Sequence, residues 1–204
     1  MLTNPFTRSG DPHMLVVGMT GAQLGERFAQ IGCAHGGRLG AVARKVGLSG
    51  RAVAIVPDDA SAARARKGAA DEGAFVEVGI APPTALPVDA DAFDLVVIDD
   101  TDGLLGAMLD ADRAATIREA RRILRPGGRA LVIASGPRSG LGALLARSPG
   151  APPFDPTPIL EADGFKAVRR LAEREGLVFV EGIKPRDDGR RLGGPTTPPD
   201  HPTL

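Results

Sequence analysis

The chain has 204 residues, a formal net charge of +0 and 43% hydrophobic residues, but only 3% aromatic residues. This length and composition favour one soluble globular domain. The balanced charge and scarce aromatic rings argue against a nucleic-acid surface, which needs cations for phosphates and rings for base stacking. One cysteine, Cys33, and no apolar run of membrane-spanning length predict a cytoplasmic protein with no internal disulfide and no membrane partner.

In the first half, short β-branched apolar runs alternate with helical segments rich in Ala and Arg, a pattern typical of a parallel sheet covered by helices. Asp58 or Asp59 has the residue type and position of a helix N-cap. The continuous apolar run at 95–98 favours a strand covered on both faces. The predicted elements are strands at 27–32, 52–56, 74–78 and 93–99, and helices at about 37–46 and 59–73.

The second half continues the alternation and then closes with a hairpin. We expect a helix capped by Asp110 or Asp112 that stops at the Pro and Gly residues of 124–128. The further predicted elements are a strand at 130–135, a weak helix at 141–147, a Pro-rich connection at 149–158, a turn at 159–163 and hairpin strands at 165–171 and 177–183. The predicted organisation is a lead-in at 1–25, one domain at 26–184 and a flexible Pro- and Gly-rich tail at 185–204.

Three segments together resemble a known enzyme family. They are Phe93-Asp94-Leu95-Val96-Val97, then Arg118-Glu119-Ala120 through to 124–129, and finally Gly164-Phe165 with the hairpin. In this order and spacing they resemble class I S-adenosylmethionine-dependent methyltransferases of the ubiquinone/menaquinone-biosynthesis type. The resemblance implies an α/β fold: a Rossmann-like seven-stranded methyltransferase sheet flanked by helices, with the last strand antiparallel. It also implies that the cofactor lies across the carboxyl ends of the first strands.

The resemblance assigns cofactor binding to a glycine turn and to the ends of strands 2 and 3. In the family, an acidic residue precedes the turn, a second ends strand 2 and holds the ribose hydroxyls, and a third follows strand 3 beside the adenine. Here these positions carry Gln30, Val56 and Pro82, and Ala34 replaces the middle glycine. The positions aligned with or next to the cofactor motifs are Gln30, Gly32, Ala34, Gly36, Val56, Asp58 and Pro82.

The three lost acids bear directly on cofactor affinity. A hydrogen bond to a charged group contributes about 1.5–3 kcal/mol. Three such losses, only partly additive, total roughly 4 kcal/mol, about a thousandfold in affinity. Asp58 lies close enough to substitute for the second acid, but its place at a helix start favours a capping role. A Rossmann dehydrogenase is the nearest rival class, and Val56 fails its requirement for a ribose-binding acid as well.

Asp99 and Asp100 lie at the end of predicted strand 4, where the resemblance places the methyl acceptor. Either carboxylate would serve there as a general base or orient a substrate, and a solvated acidic loop is the equal alternative. For His35 a turn residue is favoured over a ligand-facing role, and for Cys33 packing is favoured over nucleophilic chemistry. The histidines lack the spacing of metal ligands, so no metal is expected. The arginines at 113–125 are interpreted as a solvated helix face.

Two functions follow from these residues. The first is a non-catalytic or partner-dependent homologue, a pseudoenzyme that acts through its surface as a homo-oligomer or with a protein partner. The second is an active methyltransferase with an atypical S-adenosylmethionine site. The short, Pro-broken connection at 136–163 predicts an open pocket, which suits a protein or another large substrate.

Overall fold

The computed structural model describes residues 13–136 and 154–186. In chain order the elements are α1 (Met14–Thr20), β1 (Arg27–Ile31), α2 (Gly36–Val46), β2 (Arg51–Val56), α3 (Asp59–Asp71), β3 (Glu77–Ile80), β4 (Phe93–Asp100), α4 (Asp110–Ile123), β5 (Leu124–Ser135), α5 (Thr157–Ala162), β6 (Lys166–Arg174) and β7 (Leu177–Ile183).

The strands form a single seven-stranded sheet in the order β3-β2-β1-β4-β5-β7-β6. The pairs from β3 to β5 are parallel, and β7 runs antiparallel to both β5 and β6. This arrangement confirms the predicted fold class, including the antiparallel last strand. Because β1, β2 and β4 are parallel neighbours, their carboxyl ends meet at one edge of the sheet, where such folds bind ligands.

Both faces of the sheet are buried. One core cluster packs α1, α2 and α3 against the sheet and includes Phe28, Leu39, Val42, Ala65 and Leu95. The other lies on the face covered by α4 and α5 and includes Phe93, Ile98, Ile117, Leu160 and Val180. The central strand β4 is buried along its whole length, as its continuous apolar run predicted.

Several predicted boundaries were wrong. Strand β3 begins at Glu77 rather than at 74, and β5 begins at Leu124 because that residue pairs with Phe93 before the sheet register shifts. Leu109, not Asp110 or Asp112, is the N-cap of α4, and it makes no side-chain capping bond. The expected turn at 159–163 is largely helical, because α5 continues to Ala162.

Other expectations fall partly or wholly outside the described residues. The predicted helix at 141–147 and the first half of the Pro-rich connection lie in 137–153, outside the described residues. The predicted tail lies outside them from residue 187 onward. Within the predicted lead-in, α1 is an element that the sequence reasoning missed. It packs onto the α2 side of the sheet through Val16, which is 4% exposed.

Candidate functional site

The candidate cleft is the edge where β1, β2 and β4 end. Side chains alternate between the two faces of a strand, so residues in register share a face. Gln30 pairs in register with Ala54 and Val97, and these two belong to the cluster on the α2 and α3 side. Alternation therefore places Gln30, Val56 and Asp99 on that same face, each near the carboxyl end of its strand. The fold brings together three residues that lie far apart in the sequence.

Gln30 lies in the interior at the end of β1, where it is 3% exposed. Its side-chain amide donates through Nε2 to the carbonyl oxygen of Gly32 at 3.0 Å. The amide thus bonds to the turn that follows its own strand. A carboxylate at this position would have no proton to donate to that carbonyl.

The turn after β1 retains two of the three expected glycines for different physical reasons. Gly32 has φ +76, a conformation that favours glycine, and its N–H donates to the Ile55 carbonyl at 2.9 Å. Gly36 begins α2, and a β-carbon built there would lie 3.0 Å from the Cα of Gly68 on α3. Gly36 therefore permits close packing of two helices. Ala34, at the middle position, is half-buried.

At the end of β2, Val56 is 0% exposed and belongs to the apolar cluster. Asp58 is the N-cap of α3, and its Oδ1 accepts the backbone N–H of Ser61 at 2.7 Å. This backbone hydrogen bond is the main reason why the pKa of Asp58 is lowered. The predicted N-cap is confirmed, and the carboxylate nearest to the end of β2 is already bonded to its own helix.

Pro82 is exposed and lies in the segment that follows β3. Its carbonyl accepts the N–H of Ala85 at 3.0 Å, which closes a tight turn. The preceding residue, Ala81, donates its N–H to the Val56 carbonyl at 3.0 Å and so ties this turn to the end of β2. Pro82 itself has no N–H to offer a ligand.

Asp99 and Asp100 are both buried, at 3% and 4% exposure. Asp99 Oδ2 accepts the backbone N–H groups of Ala34 at 2.9 Å and His35 at 3.4 Å. Asp100 Oδ1 accepts the N–H of Leu105 at 2.6 Å, and burial raises the pKa of Asp100 to about 6. Each carboxylate therefore accepts hydrogen bonds from backbone N–H groups of its own chain. The catalytic roles of Asp99 and Asp100 stay predictions.

Cys33 and His35 flank Ala34 in the turn. Cys33 is 3% exposed, and burial raises the pKa of its thiol to about 12. Its carbonyl accepts a hydrogen bond from Nη1 of Arg64 on α3. The His35 side chain is exposed, its ring meets that of His13 edge-on at 5.1 Å, and desolvation is the largest cause of its lowered pKa. These surroundings agree with packing for Cys33 and a turn position for His35.

Two arginines of α4 donate hydrogen bonds to backbone carbonyls, so their side chains are more fixed than those of a solvated helix face. Arg113 donates to the carbonyl oxygens of Leu105 and Met108, and Arg122 donates to those of Leu86 and Val88. Within residues 13–136 and 154–186, His, Cys, Asp and Glu side chains form no group of three or more that could hold a metal ion. In the same part of the chain, no helix has the length and apolar character needed to span a membrane.

The sequence assigned no role to three residues that the fold brings to the cleft: Arg64, Thr101 and Leu104. Arg64 lies on an amphipathic helix like any other exposed arginine, and no motif marks Leu104. Thr101 donates its hydroxyl to Asp99 Oδ1 at 2.7 Å and accepts from Nη1 of Arg38 at 3.2 Å. Only the position of Thr101 two residues after Asp99 hinted at this local bond.

Comparison with known proteins agrees with this geometry. Residues 28–128 match the family described as "Methyltransferase domain". A Streptomyces fradiae protein, described as an uncharacterized 37.1 kDa protein in transposon TN4556, is 36% identical over 108 residues. That match covers 53% of this chain and 30% of the relative, so the chain spans less than a third of that protein's length.

Solved structures share the fold. A SAM-dependent methyltransferase from Aquifex aeolicus superposes with a TM-score of 0.65 at 19% identity, covering 83% of this chain and 87% of its own. The [4+2]-cyclase SpnF superposes with a TM-score of 0.60 at 19% identity, covering 84% of this chain and 79% of its own. The same fold thus occurs in proteins named for different reactions, so the fold alone does not assign an activity.

Proposed function

We propose that the chain is a non-catalytic or partner-dependent homologue of the methyltransferase family whose S-adenosylmethionine site is eroded. The observation that carries the proposal is at the end of β2. Val56 is fully buried in the apolar cluster, and the nearby Asp58 carboxylate caps α3 at 2.7 Å from the Ser61 nitrogen. Ribose hydroxyls placed beside Val56 would lose their bonds to water without gaining an acceptor.

The first strand and the segment after β3 support the same proposal. The Gln30 amide is bonded to the Gly32 carbonyl, and Pro82 offers a ligand neither an acid nor an N–H. Losing three charge-assisted bonds weakens binding by roughly a thousandfold, which turns a micromolar site into a millimolar one. Within the family, the order of the segments at 93–97, 118–129 and 164–165 supports a ubiquinone/menaquinone-biosynthesis type of ancestor.

Two exposed apolar side chains beside a cavity near β2 support a role in binding another protein chain. Leu48 and Phe75 are 91% and 71% exposed, and both line a cavity of about 200 Å³ beside β2. Arg51 and Ala52, the first residues of β2, line the same cavity, so it lies at the end of the sheet opposite the cleft. Exposed apolar side chains beside a cavity are typical of protein contacts. We propose a homo-oligomer or a protein partner in the cytoplasm, with no part for nucleic acid, membrane or metal.

The preserved turn favours a second candidate, an active methyltransferase with an atypical site and an open pocket. Gly32 keeps φ +76, and α2 begins directly after the turn. In this alternative Gln30, Gly32, Gly36 and Asp58 bind S-adenosylmethionine, while Asp99 or Asp100 lies near the methyl acceptor. Asp58 would then have to leave its bond to Ser61, or accept a second donor while it caps α3.

Restoring one of the three missing acids separates the two candidates. We expect Gln30→Asp to create measurable binding of S-adenosylhomocysteine if the site is merely eroded, because the shorter carboxylate can accept ligand hydrogen bonds. The matched control is Gln30→Asn, which has the same length but no charge. Circular dichroism should first establish that both variants fold. Weaker binding in Gln30→Asp than in the natural chain would support the atypical active site instead.

A further inference from the structure

The strongest unexplained feature is the carboxylate of Asp99, which lies inside the candidate cleft. Its Oδ2 accepts the N–H of Ala34 at 2.9 Å and that of His35 at 3.4 Å. Its Oδ1 accepts the hydroxyl of Thr101 at 2.7 Å and the Thr101 N–H at 3.3 Å. Both oxygens are therefore occupied, and the side chain is 3% exposed. The donors of the turn are bonded to a carboxylate that the chain itself supplies.

Leu104 fills a second part of the same cleft. Glycines in ligand-binding turns leave space for a ligand to approach the backbone. Here a β-carbon built on Gly32 would lie 2.7 Å from Cδ2 of Leu104 and 3.2 Å from the Asp99 carbonyl oxygen. The side of Gly32 that lacks a side chain is thus covered by the segment that follows β4.

The segment that follows β4, residues 101–108, is fixed by hydrogen bonds to β4 and α4. Leu105 is 0% exposed; its N–H donates to Asp100 Oδ1 at 2.6 Å, and its carbonyl accepts from Nε of Arg113 at 2.9 Å. A second Arg113 nitrogen, Nη2, donates to the Met108 carbonyl at 2.8 Å. These hydrogen bonds to β4 and α4 fix the segment, so Asp99 and Leu104 are held against the turn together.

We propose that residues 99–104 form an internal plug, an autoinhibitory contact that closes the cleft. Asp99 occupies the position that the carboxylate of a ligand would take at the turn, and Leu104 covers Gly32. A carboxylate-bearing ligand enters only when the Asp99 carboxylate leaves. Arg38, whose Nη1 donates to Thr101 at 3.2 Å, is a cation beside this position that remains when Asp99 is removed. The inference rests on the proposed function only for the location of the cleft.

Amide hydrogen exchange, followed residue by residue by NMR, tests the plug without any cofactor. In the natural chain the Ala34 and His35 amides should exchange at least about 100-fold more slowly than exposed amides, because Asp99 holds them. In Asp99→Ala they should lose most of this protection. Sodium acetate at about 50 mM should restore it and shift both resonances, whereas sodium chloride at equal ionic strength should not.

Two comparisons make the result specific. Asp94→Ala removes another buried carboxylate of β4, one that accepts the Arg27 N–H at 2.6 Å, and it should leave the Ala34 and His35 amides unchanged. The Ser61 amide, held by Asp58, is an internal reference that acetate should not shift. If Asp99→Ala does not fold, Asp99→Asn serves in its place, because it keeps one acceptor and should lose about tenfold of the protection.

The inference is overturned if the two amides are unprotected in the natural chain, or if replacing Asp99 leaves their exchange unchanged. It is equally overturned if acetate shifts them as much in the natural chain as in Asp99→Ala. These outcomes are independent of cofactor affinity, which is measured in a separate titration. A failure of the proposed function can therefore be told apart from a failure of the plug.

Discussion

Gly36 and Gly68 bring α2 and α3 together so closely that neither position has room for a side chain. A β-carbon on Gly36 would lie 3.0 Å from the Cα of Gly68, and one on Gly68 would meet the backbone of Gly36. Because Gly36 opens α2 directly after the turn, this contact also fixes where the turn ends. The packing of two helices and the geometry of the candidate cleft therefore depend on the same pair.

Gly68→Ala should destabilise the fold by about 3 kcal/mol or more, because the clash is with backbone and cannot be relieved by rotating a side chain. The measurement is urea unfolding followed by circular dichroism. Gly18→Ala on α1 is the matched control, since a β-carbon there has nothing within 4 Å. It should leave stability unchanged or raise it by up to about 1 kcal/mol. Equal effects of the two changes would contradict the account.

Asp100 should make stability depend on pH. Its pKa is raised from 3.8 to about 6 by burial, so the folded state binds the proton more tightly than the unfolded state. The stabilisation from protonation is complete below about pH 4 and is lost as the pH rises through about 6. Above pH 7 the ionised, buried carboxylate should cost on the order of 2 kcal/mol relative to its protonated form.

Asp100→Asn should remove this dependence, because asparagine does not titrate. The free energies of unfolding of the natural chain and the variant, measured from pH 4 to 8, should therefore diverge as the pH rises, in favour of the variant. Asp112→Asn, on the exposed first turn of α4, is the control and should follow the natural chain. A constant difference between the natural chain and Asp100→Asn across this range would refute the assignment.

Cys33 should be chemically inert in the folded protein. Its thiol has a pKa of about 12 against the ordinary 9.0, so the reactive thiolate at pH 8 is about a thousandfold scarcer than for a free cysteine. Burial at 3% exposure slows reagents further. Reaction with Ellman's reagent should be at least about a thousandfold slower in buffer than in 8 M urea. Comparable rates under the two conditions would show an accessible thiol and reopen a chemical role.

Val56→Asp tests whether position 56 is closed. A carboxylate placed there enters the apolar cluster, so the variant should lose about 3 kcal/mol or more of stability at neutral pH. The loss should shrink as the pH falls and the carboxyl takes up a proton. Val56→Ala reports the cost of lost packing alone and should show no such pH dependence. Full stability of Val56→Asp would mean that this position opens to solvent or ligand, which favours the active alternative.

Much of the fold could be predicted because local patterns agreed with one another. The apolar run in β4, the Asp58 cap and the hairpin that ends in β7 each have a strong local signal. Helix α1 was missed because Met14–Thr20 is short, contains Gly18 and has no clear amphipathic period. The start of β5 was missed because Leu124 joins the sheet only through its pairing with Phe93, a contact that no local pattern encodes.

The candidate site was predictable only in part. Aligning the motifs indicated which residues stand at the strand ends, and the sheet places Gln30 and Val56 there. The bond between Asp99 and Ala34 spans 65 positions of sequence and depends on a side-chain rotamer, so residue spacing cannot reveal it. The contact between Leu104 and Gly32 is likewise a product of tertiary packing.

The proposed function requires that the chain has lost ordinary affinity for S-adenosylmethionine. Isothermal titration calorimetry of the natural chain with S-adenosylmethionine and with S-adenosylhomocysteine tests it most directly. We expect no detectable binding of either compound below about 1 mM, in line with a roughly thousandfold loss from a micromolar site. Micromolar binding of either compound would contradict the account and establish the atypical active site as the better description.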